Sequence, residues 1–417
     1  NELIEKKYPY DLVQLRYTKN ADNGPVDTGL HLFVEKWNQT YHYPQLKISS
    51  VDELFASIEK KYSKQIPVYT GEISPYWEDG AYSTAEEEML NRELAIKTIA
   101  LEKYATRTGK NPLISKELYL LHKNIVLFHE HTWGAWCSFS DPDVFFTTEQ
   151  WRIKKQFVDS AQYYYDLLAA RINYEYAATK STSSLLPVID FTVDPVSGAI
   201  SQLLVNKQNQ AATDKKYKLF EPVYLLGVNP SLEYRPESVR ITEKENTQSQ
   251  KIMEVTGTLK GCKGFAILYT LNKINGAFNA RFRFDKTKER EKESLHIAFP
   301  FAIDNPQLVY GNAQQPLRYP QDQLAGSNKE FVCVENELSL QWSKQKAVLS
   351  SPGFALWEIG SVIDESRVNG AKVWKREEQS TSTVFLYLLN NYWHTNYKAD
   401  QEGIIEFAVN LEFRPSK

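Results

Sequence analysis

Residues 127–135, LFHEHTWGA, put two imidazoles and a carboxylate at the end of an apolar-periodic stretch. His122, Ile125 and His129 share one face at helical spacing, and His131 points elsewhere. Neutral imidazole is a common metal ligand, and one His can join ligands that lie far away in sequence. The alternative is that His129 and Glu130 close a helix, where the dipole favours a cation. No H-E-x-x-H and no Cys pair is present, so spacing leaves both readings open.

Three other stretches carry groups that could do chemistry. RYTKNADNGPVD sets Asp22 and Asp27 around a tight turn, which makes Asp22 a candidate general acid or hydroxyl acceptor, although Asp-Asn-Gly-Pro is also plain turn chemistry. SPYWEDGAYS places Trp77 beside Glu78 and Asp79; an indole face suits a pyranose and a carboxylate suits its hydroxyls, while packing at a domain junction is the competing role. NNYWHTNYKADQEG crowds Tyr392, Trp393, His394, Tyr397 and Asp400 between two late strands.

The elements that must position these groups change grammar twice. Residues 1–74 alternate strand and helix: YDLVQLRYT, YPQLKISS and IPVYTGEI read as strands. Leu30, Phe33, Val34 and Trp37 mark one helix, and a Ser50/Glu53 capping box opens another. That order belongs to α/β proteins with a parallel sheet, yet three strands cannot close one, so the segment reads as the end of a larger domain. Residues 75–182 read as three helices. A Ser83/Glu86 capping box opens the first, Leu118, Leu121, Ile125 and Phe128 stripe the second, and Trp151, Phe157, Ala161, Leu168 and Ile172 stripe the third. From 183 to 417 the period is two, beginning with the hairpin VIDFTVDPVSGAISQLLV, and predicts a large antiparallel sandwich.

Composition narrows the function classes. A chain of 417 residues exceeds one hydrophobic core, and a net charge of −3 gives no broad basic surface for nucleic acid. No apolar run reaches membrane-spanning length. Aromatic residues make up 13%, with 25 Tyr and 9 Trp, enough for both core filling and sugar platforms. Cys137, Cys262 and Cys333 are too scattered for a disulfide framework or a zinc knuckle, and the compartment stays open. P-loop, Rossmann and G-x-S-x-G motifs are missing.

Taken together, RYTKNADNGPVD, PYWEDGAYSTAEEEMLNRELA, LHKNIVLFHEHTWGA, ESLHIAFPF and NYWHTNYKADQEG resemble glycoside hydrolase family 38, the zinc-dependent retaining α-mannosidases, and within it the bacterial branch with the phrase E-H-T-W-G-A. The resemblance implies a multidomain α+β chain: the end of an α/β barrel-like catalytic domain, a three-helix bundle and a β-sandwich. In the family, zinc is held by a His-x-Asp pair, by the nucleophilic Asp and by one bundle His five residues before a glycine. FHEHTWG puts His129 at that place, with Glu130 at the acidic position and Gly134 at the glycine. Trp77 falls where the family has a Trp bordering the sugar, and Asp22 near the general acid, in different wording. Asp79, Trp133 and His394 complete the residues expected to touch substrate.

The chain contains no His-x-Asp. The resemblance therefore implies that two zinc ligands and the nucleophile lie on a preceding portion of the catalytic domain, which would share the zinc. The expected partners are a mannoside or related glycan and the remainder of that domain. The competing reading is a non-catalytic carbohydrate-binding or structural β-sandwich module.

Overall fold

The computed structural model describes residues 2–416 except 21–23, 74–77, 132, 178–187, 213–215, 229–230, 313 and 363–376. Two compact units divide the chain, residues 1–70 and 71–417.

In the first unit, helices form at Leu30–Thr40 and Val51–Tyr62, as their apolar spacing requires. Ser50 caps the second: its side chain accepts from the Glu53 N–H at 3.2 Å. The Glu53 carboxylate turns to Lys47 and Ser49, so the reciprocal half of the capping box is not built from it. Neither helix has a buried residue. The three stretches read as strands form no strand among the described residues. A strand is defined by its ladder partners, and alternation in Val13, Leu15 and Tyr17 supplies none; these side chains stay exposed. Together with Phe33, Val34 and Ile48 they line an open apolar groove.

The second unit is α+β. Three long helices, Ala85–Arg107, Ser115–His129 and Phe145–Ile172, pack into a bundle around Leu94, Leu101, Leu121, Ile125, Ala161, Leu168 and Ile172. The third begins at Phe145, ahead of the stripe that opens at Trp151. The capping box at Ser83 does not form. A short helix at Glu78–Ala81 and a single 3-10 turn at Tyr82–Thr84 precede Ala85, and Thr84 caps without a side-chain bond.

The remaining residues build a sandwich of antiparallel sheets. The six-stranded sheet runs 331–333, 356–359, 383–390, 293–300, 221–226, 232–234. The nine-stranded sheet runs 315–319, 307–312, 338–342, 345–350, 403–415, 278–286, 262–272, 250–259, 237–246. Strand Phe278–Lys286 shows the logic: Phe278, Ala280, Phe282 and Phe284 point into the shared core, and Arg281 and Arg283 point out. In the six-stranded sheet, Glu221–Leu226, Glu293–Pro300 and Thr383–Asn390 are buried along their whole length. Both faces are covered, which is why their sequences read as nearly continuous apolar runs.

Such burial leaves polar side chains that must find partners inside. Lys286 and Glu293 have fully buried side chains, 2.7 Å apart, and join the two sheets; the Tyr224 hydroxyl donates to the same carboxylate. Burial pushes the Glu293 carboxyl up to about 7 against the pull of Lys286. Removing one partner of a buried pair strands the other charge. Lys286→Met is therefore expected to cost about 3–5 kcal/mol in urea unfolding near pH 8, above the Glu293 value. Lys286→Met with Glu293→Met should recover most of the loss. A single-variant cost under about 1 kcal/mol would contradict a paired charge.

Candidate functional site

The second bundle helix ends at His129, and Glu130 turns the chain outward with φ −67° and ψ 140°. The last carbonyls of a helix lack intrahelical partners. Here Lys154 of the third helix reaches across and donates to Leu127 O at 3.1 Å and to Glu130 O. Burial lowers the Lys154 pKa, opposed by the Glu130 carboxylate 4.0 Å away. The same ammonium lies 5.3 Å over the Trp133 ring. One buried cation thus fixes both the helix end that carries His129 and the indole beyond it.

His129 is half-open, its side chain 41% exposed, and Nδ1 stands 3.6 Å from the buried Glu88 Oε2 of the first bundle helix. From this imidazole a run of rings continues: 5.8 Å to Trp133, 6.1 Å from Trp133 to Tyr397, and 5.3 Å from Tyr397 to Trp393. Beneath them Phe128, Trp133 and Val158 form a small core with Ala81, Leu90, Trp151, Phe157 and Tyr397 packed against it. Bundle, junction and sandwich loop all contribute, so this cluster is where the two parts of the second unit meet.

Backbone contacts lock the loops that carry these rings. Asn396 N–H donates to Ala135 O at 3.1 Å, and the Thr395 hydroxyl donates to Trp136 O at 2.8 Å. Gly134 makes the approach possible, since a Cβ there would lie 2.9 Å from Asn396 O. Lys292 donates to Asn391 O and Trp393 O at 2.7 and 2.8 Å and lies 3.9 Å from the Phe139 ring centre; burial holds its amine down to about 8. Arg290 grips Asp143 with both terminal nitrogens and Asp400 with Nε, tying the bundle loop to two sandwich loops.

The expected site residues separate into groups. His129 and Trp133 come together, but Trp133 is only 7% exposed and its N–H is committed to Thr84 Oγ1 at 3.2 Å, so its ring packs inside the cluster instead of offering a face to a ligand. Asp79 is fully buried, its carbonyl accepting from Asn390 Nδ2 at 2.7 Å; it stands next to Gly80, on which the Tyr397 ring rests. Burial, reinforced by Asp79 and Glu78, raises the Tyr397 phenol above its usual range. His394 is exposed on the loop between Trp393 and Thr395. Asp22 and Trp77 lie outside the described residues.

Sequence reading passed over Glu88, Lys154 and Lys292. For Glu88 a signal existed: it falls on the buried stripe Ala85, Met89, Leu94, Thr98, Leu101, Ala105, where a carboxylate is out of place. As to a metal, His129 backed by Glu88 has the form of one ligand with its orienting carboxylate. No group of three or more His, Cys, Asp or Glu among the described residues is arranged to hold an ion. The described residues fit one arm of a metal site and not a whole one.

The Tyr397–Gly80 contact gives a direct test of the junction. A methyl group at Gly80 would lie 2.3 Å from a Tyr397 ring carbon. Gly80→Ala is expected to displace the ring, opening the 391–400 loop to limited proteolysis and shifting tryptophan fluorescence to the red. Unchanged cleavage and emission would mean the loop is held without that contact.

No protein-family model matches the chain, and no curated protein matches it in sequence. Solved structures do match in fold. A glycosyl hydrolase family 38 protein from Enterococcus faecalis aligns with TM-score 0.56 at 9% identity, covering 94% of this chain and 63% of its own. An α-mannosidase from Enterococcus faecalis V583 aligns with TM-score 0.59 at 9% identity, covering 95% and 62%. The chain spans less than two thirds of either structure's length. Its fold is that of a large part of a glycoside hydrolase family 38 protein, the family that the sequence phrases resemble.

Proposed function

We propose that this chain supplies one wall of the sugar pocket in a zinc-dependent retaining α-mannosidase-like glycoside hydrolase. The observation that carries the reading is the ring run Trp393–Tyr397–Trp133–His129, which ends on a half-open imidazole backed by a buried carboxylate. Aromatic faces suit the apolar faces of a pyranose. The fold likeness to an α-mannosidase supports the same reading.

In this reading His129 holds one position of a shared zinc, and the other ligands come from the remainder of the catalytic domain. Zinc, when bound, acts as a Lewis acid at sugar hydroxyls. The chain's own residues have separate tasks. Lys154 fixes the helix end beneath the imidazole, Tyr397 and Trp393 set the wall, and His394 reaches from the exposed loop toward substrate hydroxyls. Retention needs two carboxyl groups about 5 Å apart, nucleophile and acid. Asp22 is assigned the acid, and the nucleophile is assigned to the remainder of the domain.

Two measurements test this. In the intact protein, His129→Ala should remove zinc and lower turnover of an aryl α-mannoside by about a hundredfold or more; unchanged zinc stoichiometry would take His129 out of the ligand set. This chain by itself should not turn over the same substrate. Turnover by it, free of contaminating glycosidase, would overturn the division of the active site.

A further inference from the structure

We propose that Glu88 is a positioning residue that fixes the tautomer of His129, drawing the proton to Nδ1 and leaving the Nε2 lone pair for the site. The proposal rests on reading His129 as a site group. Glu88 is 5% exposed, and its Oε2 makes no hydrogen bond among the described residues. A buried carboxylate oxygen without a donor is unstable, so the nearest donor is drawn to it. The imidazole Nδ1, 3.6 Å away, stands in that place. The distance exceeds hydrogen-bond length and lies within ion-pair range.

The rest of the surroundings hold the carboxylate still while leaving the ring free to respond. Asn91, three residues on, donates from Nδ2 to Ile125 O at 3.1 Å and is fully buried. Ile125 is one helical turn before His129, so this bond pins the first helix to the turn that carries the imidazole. The next residue, Met89, fills the space against Gly353, where a Cβ would lie 2.3 Å from the Met89 Cγ. The helix bearing Glu88 is thus clamped on two sides. Free imidazole carries its proton on either nitrogen, and the hydrogen bond made by one nitrogen selects the role of the other. In the proposal Glu88 draws the proton to Nδ1, and Nε2 keeps its lone pair as an acceptor.

The test reads the tautomer directly. The whole chain is labelled with 15N-histidine and its ring nitrogens are measured near pH 8, where imidazole is neutral. The His129→Gln spectrum identifies the His129 signals. The expected result is protonated Nδ1 and unprotonated Nε2 in the parent protein. In Glu88→Ala the signals should move toward the Nε2–H form. In Glu88→Gln, whose amide oxygen still accepts, most of the Nδ1–H form should persist, which separates this effect from misfolding. An Nε2–H tautomer in the parent, or identical ring shifts in Glu88→Ala, would overturn the proposal. The measurement contains no zinc, so its failure leaves the metal reading standing. Likewise, unchanged zinc in His129→Ala would end the metal reading and leave the tautomer assignment intact.

Discussion

The first bundle helix is capped from the sandwich. Gln401, on the loop that leads into the last strand, accepts from Ala85 N–H at 3.0 Å and donates to Tyr82 O at 3.0 Å. A helix N-terminus has four donors without partners, and a local Ser, Thr or Asp side chain usually takes one. Ser83 stands in the right place for that and is used otherwise, accepting from Lys398 N–H at 3.1 Å. Two polar side chains thereby exchange duties across the junction. The bundle begins where the 398–401 segment tells it to begin, and the ring run at His129 exists because both parts are held in that register.

Around this exchange the junction is closed by further side chains of both parts. The Tyr82 hydroxyl accepts from Ala355 N–H at 2.7 Å, and Tyr82, Ala85 and Met89 belong to the same core as the sandwich strands. Arg92 reaches Val334 O and Glu335 O at 3.3 and 3.4 Å. The six-stranded sheet, covered on both faces, bears its own polar pairs: His296 and Glu358 lie 2.8 Å apart, and His296 Nε2 meets Ser294 Oγ at 2.8 Å. Ser294 in turn meets the Tyr392 hydroxyl at 2.9 Å, at the root of the loop that carries Trp393 and Tyr397. Chains of buried polar groups of this kind fix one geometry.

How much of this was legible depended on whether the signal was periodic. The three bundle helices and the strands at 278–286 and 403–415 follow from spacing of apolar residues, because their burial is one-sided. The strands expected before residue 74 follow the same alternation and are absent among the described residues, since alternation describes a face and not a partner. The box at Ser83 was locally correct in residue type and was overridden by a residue more than 300 positions away. His129 and Trp133 were found through the phrase that contains them. Glu88 and Lys154 were missed, because a charged side chain reads as surface until its place on a buried stripe is counted.

The central claim is that the sandwich loop and the bundle's helix start form one cooperative seam on which the ring run is mounted. Hydrogen exchange of single amides in Gln401→Ala tests it most directly. The account predicts that Ala85, Asn396 and Lys398 N–H groups, protected in the parent by their bonds to Gln401, Ala135 and Ser83, lose protection together. Loss at Ala85 alone, with Asn396 and Lys398 exchanging as slowly as before, would contradict it.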